Sequence, residues 1–141
     1  HDNATTGSSV DLDAGVVMVA KDARAANSGV DIVYTFSEKL NKPVIMNPVY
    51  AKTSSGITAF EGWEGPNATQ FHLVSNVDFE SITTAAQIQA LFNASLADGG
   101  RVEVAANDVL VVKTDKGAYV LVKMNSVSTD AKGTATIKYA K

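Results

Sequence analysis

The residues best suited to chemistry lie in one short loop, where the chain reads EGWE. Trp63 is the only tryptophan of the chain, and it stands between Glu61 and Glu64. An indole ring can stack on a sugar ring, while a carboxylate accepts hydrogen bonds from the sugar hydroxyl groups. Two further aromatic residues, Tyr50 and Phe60, precede the loop and would extend such a surface. These five residues form the predicted ligand-binding set.

The same loop also has a structural interpretation. Gly62, Gly65 and Pro66 bend the backbone around the tryptophan, and Trp63 could turn into the core while the glutamates on either side face water. Nothing in the spacing shows that the two carboxylates converge, which a glycosidase pair about 5 to 9 Å apart would require. We therefore favour a structural loop over a sugar-binding site, and a glycoside hydrolase is a distant alternative.

The histidines and the known catalytic motifs give no support for catalysis. A metal or haem site would need His1, at the terminus, to meet His72. His72 alternates with Phe71 and Leu73 on a predicted strand, so we expect it to face solvent. The chain contains no G-x-S-x-G, P-loop, dinucleotide-binding or H-E-x-x-H motif. The sequence thus predicts no catalytic residue, no cofactor and no enzymatic activity.

Four aspartates raise the question of a calcium site. Asp11 and Asp13 lie in the stretch DLDAG, whereas Asp31 and Asp108 lie elsewhere in the chain. DLDAG lacks the D-x-D-x-D-G spacing and the closing glutamate of a calcium-binding loop. We interpret it as a solvated turn and predict no metal site.

Composition is typical of a β-rich exported domain. The 141 residues fit one domain with a proper core, and charged residues make up 19%, below the average of roughly 25%. Net charge is −3 without a basic run, so nucleic acid is not an expected partner. The absence of cysteine excludes disulfides, thiolate catalysis and cysteine-ligated metals.

We expect an extracytoplasmic location, in the periplasm or on the outer surface of a bacterium. No apolar run approaches the length of about 20 residues that a transmembrane helix needs. The chain starts at His1, and residues 1–9, HDNATTGSS, have the composition of a flexible lead-in. We predict a single domain over residues 10–141, with a possible lipid anchor upstream of His1.

Hydrophobic periodicity predicts a mainly β, α+β fold with one helix near residues 84–98. Its apolar stripe has helical spacing, and Thr83 or Thr84 could cap it. Pro43 and Pro48 limit the segment 43–51 to an edge or irregular strand. The whole pattern favours an antiparallel β-sandwich or flattened barrel of about seven strands. The predicted strands are 15–20, 30–36, 68–75, 101–105, 108–114, 118–127 and 133–141, in addition to the edge or irregular segment 43–51.

The second part of the chain resembles small exported or lipid-anchored β-rich domains of Bacteroidota-type bacteria. The matching pieces are Val30–Phe36, Trp63 with the N-x-T-x-F strand that begins at Asn67, Asp78–Ile82 and the hairpin Asp108–Met124. The resemblance covers about residues 30–140. It implies a β-rich fold, an extracytoplasmic location and a group of proteins mostly of unassigned function, and it makes Trp63 part of the scaffold.

Two classes of function follow as expectations. The first is a non-enzymatic surface or periplasmic domain that binds a glycan or small ligand through the loop of Trp63. The second is a structural or protein-interaction domain that uses an exposed strand edge, such as the segment 43–51, to contact another surface protein.

Overall fold

Nine strands form two antiparallel sheets in the part of the chain that the structure describes. This computed structural model describes residues 9–18, 22–23, 29–37, 40–55, 60, 62–64, 66–93, 100–127 and, for the backbone, 135–140. The strands are β1 Ser9–Asp11, β2 Val16–Met18, β3 Ile32–Ser37, β4 Lys42–Met46, β5 Gln70–Val74, β6 Arg101–Glu103, β7 Val109–Lys113, β8 Tyr119–Val127 and β9 Ala135–Ala140; the helices are α1 Pro48–Thr53 and α2 Ala85–Leu91.

The five-stranded sheet has the order β2-β1-β3-β4-β6, and the four-stranded sheet has the order β5-β7-β8-β9. The prediction of a mainly β, antiparallel fold is confirmed, and its sandwich form is the one observed, because neither sheet closes into a barrel. The predicted lead-in covers residues 1–9; residues 1–8 lie outside the described residues, whereas Ser9 begins β1.

Apolar side chains cover both faces of the four-stranded sheet. In β7, Leu110 and Val112 point towards the other sheet, whereas Val109 and Val111 point outward, and all four are buried. This double burial explains why the strand reads as a continuous apolar run instead of alternating. The central core between the two sheets contains Val10, Leu12, Ile32, Ile45, Phe71, Val102, Val104, Leu110, Val112, Val120, Val122 and Met124.

Two further apolar clusters cover the outer faces of the sandwich. The Trp63 cluster covers the five-stranded sheet and contains Met18, Ala23, Val30, Val33, Val44, Met46, Ala51, Phe60 and Trp63. The helix cluster covers the four-stranded sheet and contains Phe79, Ile88, Val109, Val111 and Leu121. Each outer face is therefore shielded by a helix and its flanking loops.

The segment 43–51 is neither an edge strand nor wholly extended, so that prediction is wrong. Its first half belongs to β4, which pairs with β3 on one side and with β6 on the other. Pro43 lies next to the start of the strand, where its carbonyl still accepts a hydrogen bond from Val104. Asn47 then caps α1 by accepting from the Tyr50 N–H at 2.7 Å, and Pro48 occupies the first turn, where a missing N–H is tolerated.

The second helix begins where the sequence predicts and ends earlier. Thr84 and Gln87 form a capping box at the start of α2. Phe92 has extended backbone dihedrals of φ −75° and ψ 129°, so the helix ends at Leu91 instead of near residue 98. The ring of Phe92 instead packs edge-on against Tyr119. Neither described helix is long and apolar enough to cross a membrane.

Candidate functional site

The loop of Trp63 packs into the protein and does not present a platform. The exposed fraction is 1% for Trp63 and 2% for Phe60, and the two rings meet edge-on with centroids 5.1 Å apart. The indole Nε1–H has no acceptor among the described residues, so apolar packing fixes the ring. A ring with this burial offers no face to a sugar, which answers the question left open by the sequence in favour of the structural loop.

The other members of the predicted set do not assemble around Trp63 into a polar site. Tyr50 is half-buried, with the Arg101 guanidinium 5.7 Å from its ring centroid and Gly100 close against the ring. Glu64 is exposed, and Glu61 lies outside the described residues. No pair of carboxylates is brought together in the described part of this loop.

Buried polar residues on either side of the loop in the sequence hold it in place. Asn47 donates from its side-chain amide to the Thr69 carbonyl at 2.9 Å, and Asn67 donates to an Asp31 carboxylate oxygen at 3.3 Å. Asn47, Asn67 and Thr69 are all buried. Buried amides with such partners tie the loop to α1 and to the five-stranded sheet, so the N-x-T pattern beside the tryptophan has a structural role.

The structure brings Asp31 to Asp11 and Asp13, which are neighbours in the sequence. One carboxylate oxygen from each of Asp11, Asp13 and Asp31 lies within 4.8 Å of the other two. Pairing of β1 with β3 places Asp31 beside Asp11, although 20 positions separate the two in the chain. Lys116, from the turn between β7 and β8, approaches Asp13 to 3.1 Å. The sequence does not link Asp31 to Asp11 and Asp13, because no spacing within one segment signals this cluster.

Backbone and amide N–H groups hydrogen-bond to two of these carboxylates, and one ammonium group contacts the third. Asp31 accepts from the Leu12 backbone N–H at 2.8 Å as well as from Asn67. Asp11 accepts from the Ala14 backbone N–H at 2.8 Å and thereby closes the turn. The contact with Asp13 raises the pKa of the Lys116 ammonium group.

Burial disfavours the charged form of Asp31. Its side chain is 1% exposed, and desolvation raises its pKa above the usual value of 3.8. The nearby charges of Asp13 and Asp11 raise this pKa further, whereas the hydrogen bonds from Leu12 and Asn67 lower it. The hairpin that joins β1 and β2 therefore carries a concentration of negative charge.

Carboxylate oxygens are suitable ligands for a hard cation such as Ca²⁺. Such an ion takes six to eight oxygens, and Asp11, Asp13 and Asp31 supply three carboxylates between them. Lys116 already lies against one of these, and backbone amides occupy oxygens of the other two. The geometry is that of a hydrogen-bonded charge cluster.

Strand β2 is an edge strand with two exposed apolar side chains. Val16 is 47% exposed and Val17 is 57% exposed, although each lies within the strand. Within the described sheet, β2 pairs with β1 on one side and forms the sheet edge on the other. Consecutive exposed valines on a sheet edge are an uncommon arrangement, because such edges template the pairing of further strands.

The backbone groups of Val17 point to the free edge. The Asp11 carbonyl accepts from Gly15 within the hairpin, whereas the Val10 carbonyl accepts from Asp31 and so points towards β3. Successive residues of a strand turn their backbone groups to opposite sides, and Val17 lies directly opposite Val10. The N–H and C=O of Val17 therefore point away from β1.

Two other sheet edges are protected by polar groups or by neighbouring structure. On β6, Glu103 forms an ion pair with Lys42 at 2.8 Å, and Arg101 covers the ring of Tyr50. On β5, the imidazole Nδ1 of His72 lies 3.1 Å from the Asn93 N–H, beyond the end of α2. The expectation of a solvent-facing His72 is thus only partly met, because its ring is half-buried and also packs edge-on near Phe92. β2 has no charged residue of its own.

A half-exposed aromatic surface lies on the outer face of the four-stranded sheet. The rings of Phe92 and Tyr119 meet edge-on with centroids 5.5 Å apart. The Lys113 ammonium lies 6.0 Å from the first centroid and 5.9 Å from the second. Gln70 lies beside Lys113 in the strand register and adds an amide to this aromatic–lysine surface.

The fold is similar to that of a DUF4466 family protein from Parabacteroides merdae ATCC 43184, a member of the Bacteroidota. The two structures superpose with a TM-score of 0.63 at 18% sequence identity, over 96% of this chain and 50% of that one. This chain thus spans about half the length of its structural neighbour, and the likeness is one of fold. No family model matches the sequence, and no curated protein matches it either.

Replacing Trp63 tests its role in the core. Trp63→Ala should lower the free energy of unfolding by about 3 to 5 kcal/mol, because it leaves a cavity in the Trp63 cluster. The measurement is urea denaturation followed by far-UV circular dichroism. Glu64→Ala, at the exposed neighbouring position, should change the same quantity by less than about 0.5 kcal/mol. Acrylamide should quench the fluorescence of wild-type Trp63 weakly, and strong quenching would contradict its burial.

Replacing Asp31 tests the carboxylate cluster. Because the native protein holds the Asp31 proton more tightly than the unfolded chain does, ionisation destabilises the native state as the pH rises from 3.8 through the raised pKa. Asp31→Asn cannot ionise, and its oxygen can still accept from Leu12. The unfolding free energy of the variant minus that of wild type should therefore increase across this pH window and level off above it. A difference that is constant from pH 3 to pH 7 in urea titrations would contradict the shift.

Proposed function

We propose that this domain is a non-enzymatic, extracytoplasmic interaction domain that binds an extended segment of another protein along the edge strand β2. The observation that carries the proposal is the exposure of Val16 and Val17 on that edge. A bound strand would hydrogen-bond to the outward N–H and C=O of Val17 and would cover both valines, which is the mode called β-augmentation.

The contrast between the edges supports this assignment. Natural sheets block their edges with charged side chains, proline, bulges or covering loops. Glu103 and Arg101 block β6 in this way, whereas β2 combines a free edge with apolar side chains. The sequence predicts an interaction edge in segment 43–51, but the strand in that segment is internal. We therefore assign the interaction edge to β2.

The extracytoplasmic location rests on composition. The low share of charged residues and the polar composition of residues 1–9 are the observations behind it. A lipid anchor upstream of His1 would place the domain at a membrane surface, where extended segments of other surface proteins are available as partners.

A second candidate function is glycan binding at the aromatic–lysine surface. Phe92 and Tyr119 are half-exposed rings, unlike Trp63, and Lys113 and Gln70 supply hydrogen-bond donors beside them. In this alternative the glycan binds here, and not at Trp63, Phe60 and the two glutamates of their loop, where the sequence predicts it.

A matched pair of lysine substitutions tests edge binding. A displayed library of random seven-residue peptides is selected on the immobilised domain, and enriched peptides are then measured by fluorescence anisotropy. Val17→Lys should weaken their binding by at least about tenfold, because a charged edge residue opposes strand pairing. Leu73→Lys should leave binding unchanged, since Leu73 is 43% exposed on β5, the edge of the other sheet.

Both variants should keep their unfolding free energy within about 0.5 kcal/mol of wild type, because the replaced side chains are exposed. Equal loss of binding in the two variants would mean that added charge, and not the β2 edge, is responsible. Selection of no extended peptide, or binding that survives Val17→Lys, would overturn the proposed function.

Tyrosine substitutions test the glycan alternative. If a glycan array gives a bound sugar, Tyr119→Ala should weaken its binding by about tenfold, which corresponds to about 1.4 kcal/mol. Tyr50→Ala removes a half-buried ring of α1 that packs against the Trp63 cluster, and it should leave this affinity unchanged. Loss with Tyr50→Ala alone would return the site to the Trp63 loop, and an array without bound sugars would remove the candidate.

A further inference from the structure

We infer that β2 selects strands that carry a basic side chain opposite Val16 and an apolar side chain opposite Val17. This inference rests on the proposed function and specifies the chemistry of the partner. It follows from which face of the five-stranded sheet carries the Asp11 carboxylate at the edge formed by β2.

The two valines of β2 face different environments. Val16 lies directly opposite Asp11 in the pairing of β1 with β2, and Val17 lies directly opposite Val10. Directly opposed residues share a face of the sheet. Val16 is therefore on the face that carries the Asp11 carboxylate, whereas Val17 is on the face of the central core, to which Val10 belongs.

A strand added at β2 would continue these two faces. Its residue opposite Val17 would extend the apolar face beyond Val10, so an apolar side chain is favoured there. Its residue opposite Val16 would lie two strand spacings, about 10 Å, from Asp11 on the same face. A lysine or arginine at that position can lay its apolar stem along Val16 and bring its charge towards Asp11.

The carboxylate cluster supplies the electrostatic complement. Three carboxyl groups lie within 4.8 Å of one another, and Lys116 contributes one positive charge at Asp13. In the described part of the chain, Asp11 accepts from the neutral backbone N–H of Ala14, which does not neutralise its charge, so the carboxylate can attract a cation from the partner. An acidic side chain opposite Val16 would be repelled by the same groups.

A second copy of this chain lacks the complementary chemistry at this edge. β2 consists of Val16, Val17 and Met18 and carries no basic side chain. Pairing of β2 with the β2 of another copy would therefore place no cation opposite Val16. The partner chemistry that fits the edge is a basic and apolar extended strand.

Seven-residue peptides of the form TTVXVTT, with X as lysine, norleucine or glutamate, test the inference. Binding is followed by the amide chemical shifts of Val16–Met18 in ¹⁵N spectra of the whole chain. The lysine peptide should bind about two- to fivefold more tightly than the norleucine peptide, as expected for one exposed charge pair. The glutamate peptide should bind more weakly than both, and 0.5 M NaCl should reduce these differences.

Asp11→Asn and Glu103→Gln are the matched protein variants. Asp11→Asn retains the acceptor for Ala14 and should abolish the preference for lysine over norleucine. Glu103→Gln removes the same unit of charge from β6, the opposite edge of the sheet, and should preserve the preference.

The outcomes separate the two levels of the proposal. Equal binding of the lysine and norleucine peptides, with shifts at Val17, would overturn the charge preference and leave edge binding intact. Absence of shifts in β2 with all three peptides up to millimolar concentration would count against edge binding itself, and with it the inference. Dimerisation of the free chain through β2 in sedimentation experiments would mean that a second copy occupies the edge, and would overturn the inference of a basic partner strand.

Discussion

Burial of both faces of each sheet is the constraint on which the rest of this structure depends. Each sheet of this structure has one face against its partner sheet, and its second face is also apolar and is covered by helices and loops. Here the Trp63 cluster covers the five-stranded sheet, and the helix cluster covers the four-stranded sheet. The demand for apolar cover explains why the largest side chain of the protein lies in the core and is not a ligand platform.

The same constraint determines where polar groups can act. Because the sheet faces are covered, a binding partner can reach the sheet edges, the hairpin turns and the borders of the two outer apolar clusters. The hairpin of β1 and β2 lies at such an edge and carries both exposed valines and the carboxylate cluster. The aromatic–lysine surface lies at such a border, where Phe92 leaves α2 and its ring remains half-exposed.

Elements with a strong local signal are predictable from the sequence. Strand β3 follows from apolar alternation, and strands β7 and β8 follow from their runs of apolar residues. The tight turn between β7 and β8 follows from Gly117, whose φ of 84° favours glycine. The capping box of α2 is equally local, because Thr84 and Gln87 are three residues apart. Strand β1 escaped prediction because three residues are too few to show a period. Helix α1 escaped it because Asn47 and Pro48 signal a helix start inside a segment that otherwise reads as extended.

The sequence by itself determined the β-rich class, most of the strands and the exclusion of cysteine chemistry, since these depend on composition and short-range pattern. Only the tertiary structure decided which way Trp63 faces, because burial depends on the α1 and sheet residues that surround its loop. Tertiary structure also decided that Asp31 meets Asp11 and that β2, instead of the segment 43–51, forms the free edge. Both outcomes come from strand pairing between residues far apart in the chain, and no local pattern encodes which strands become neighbours.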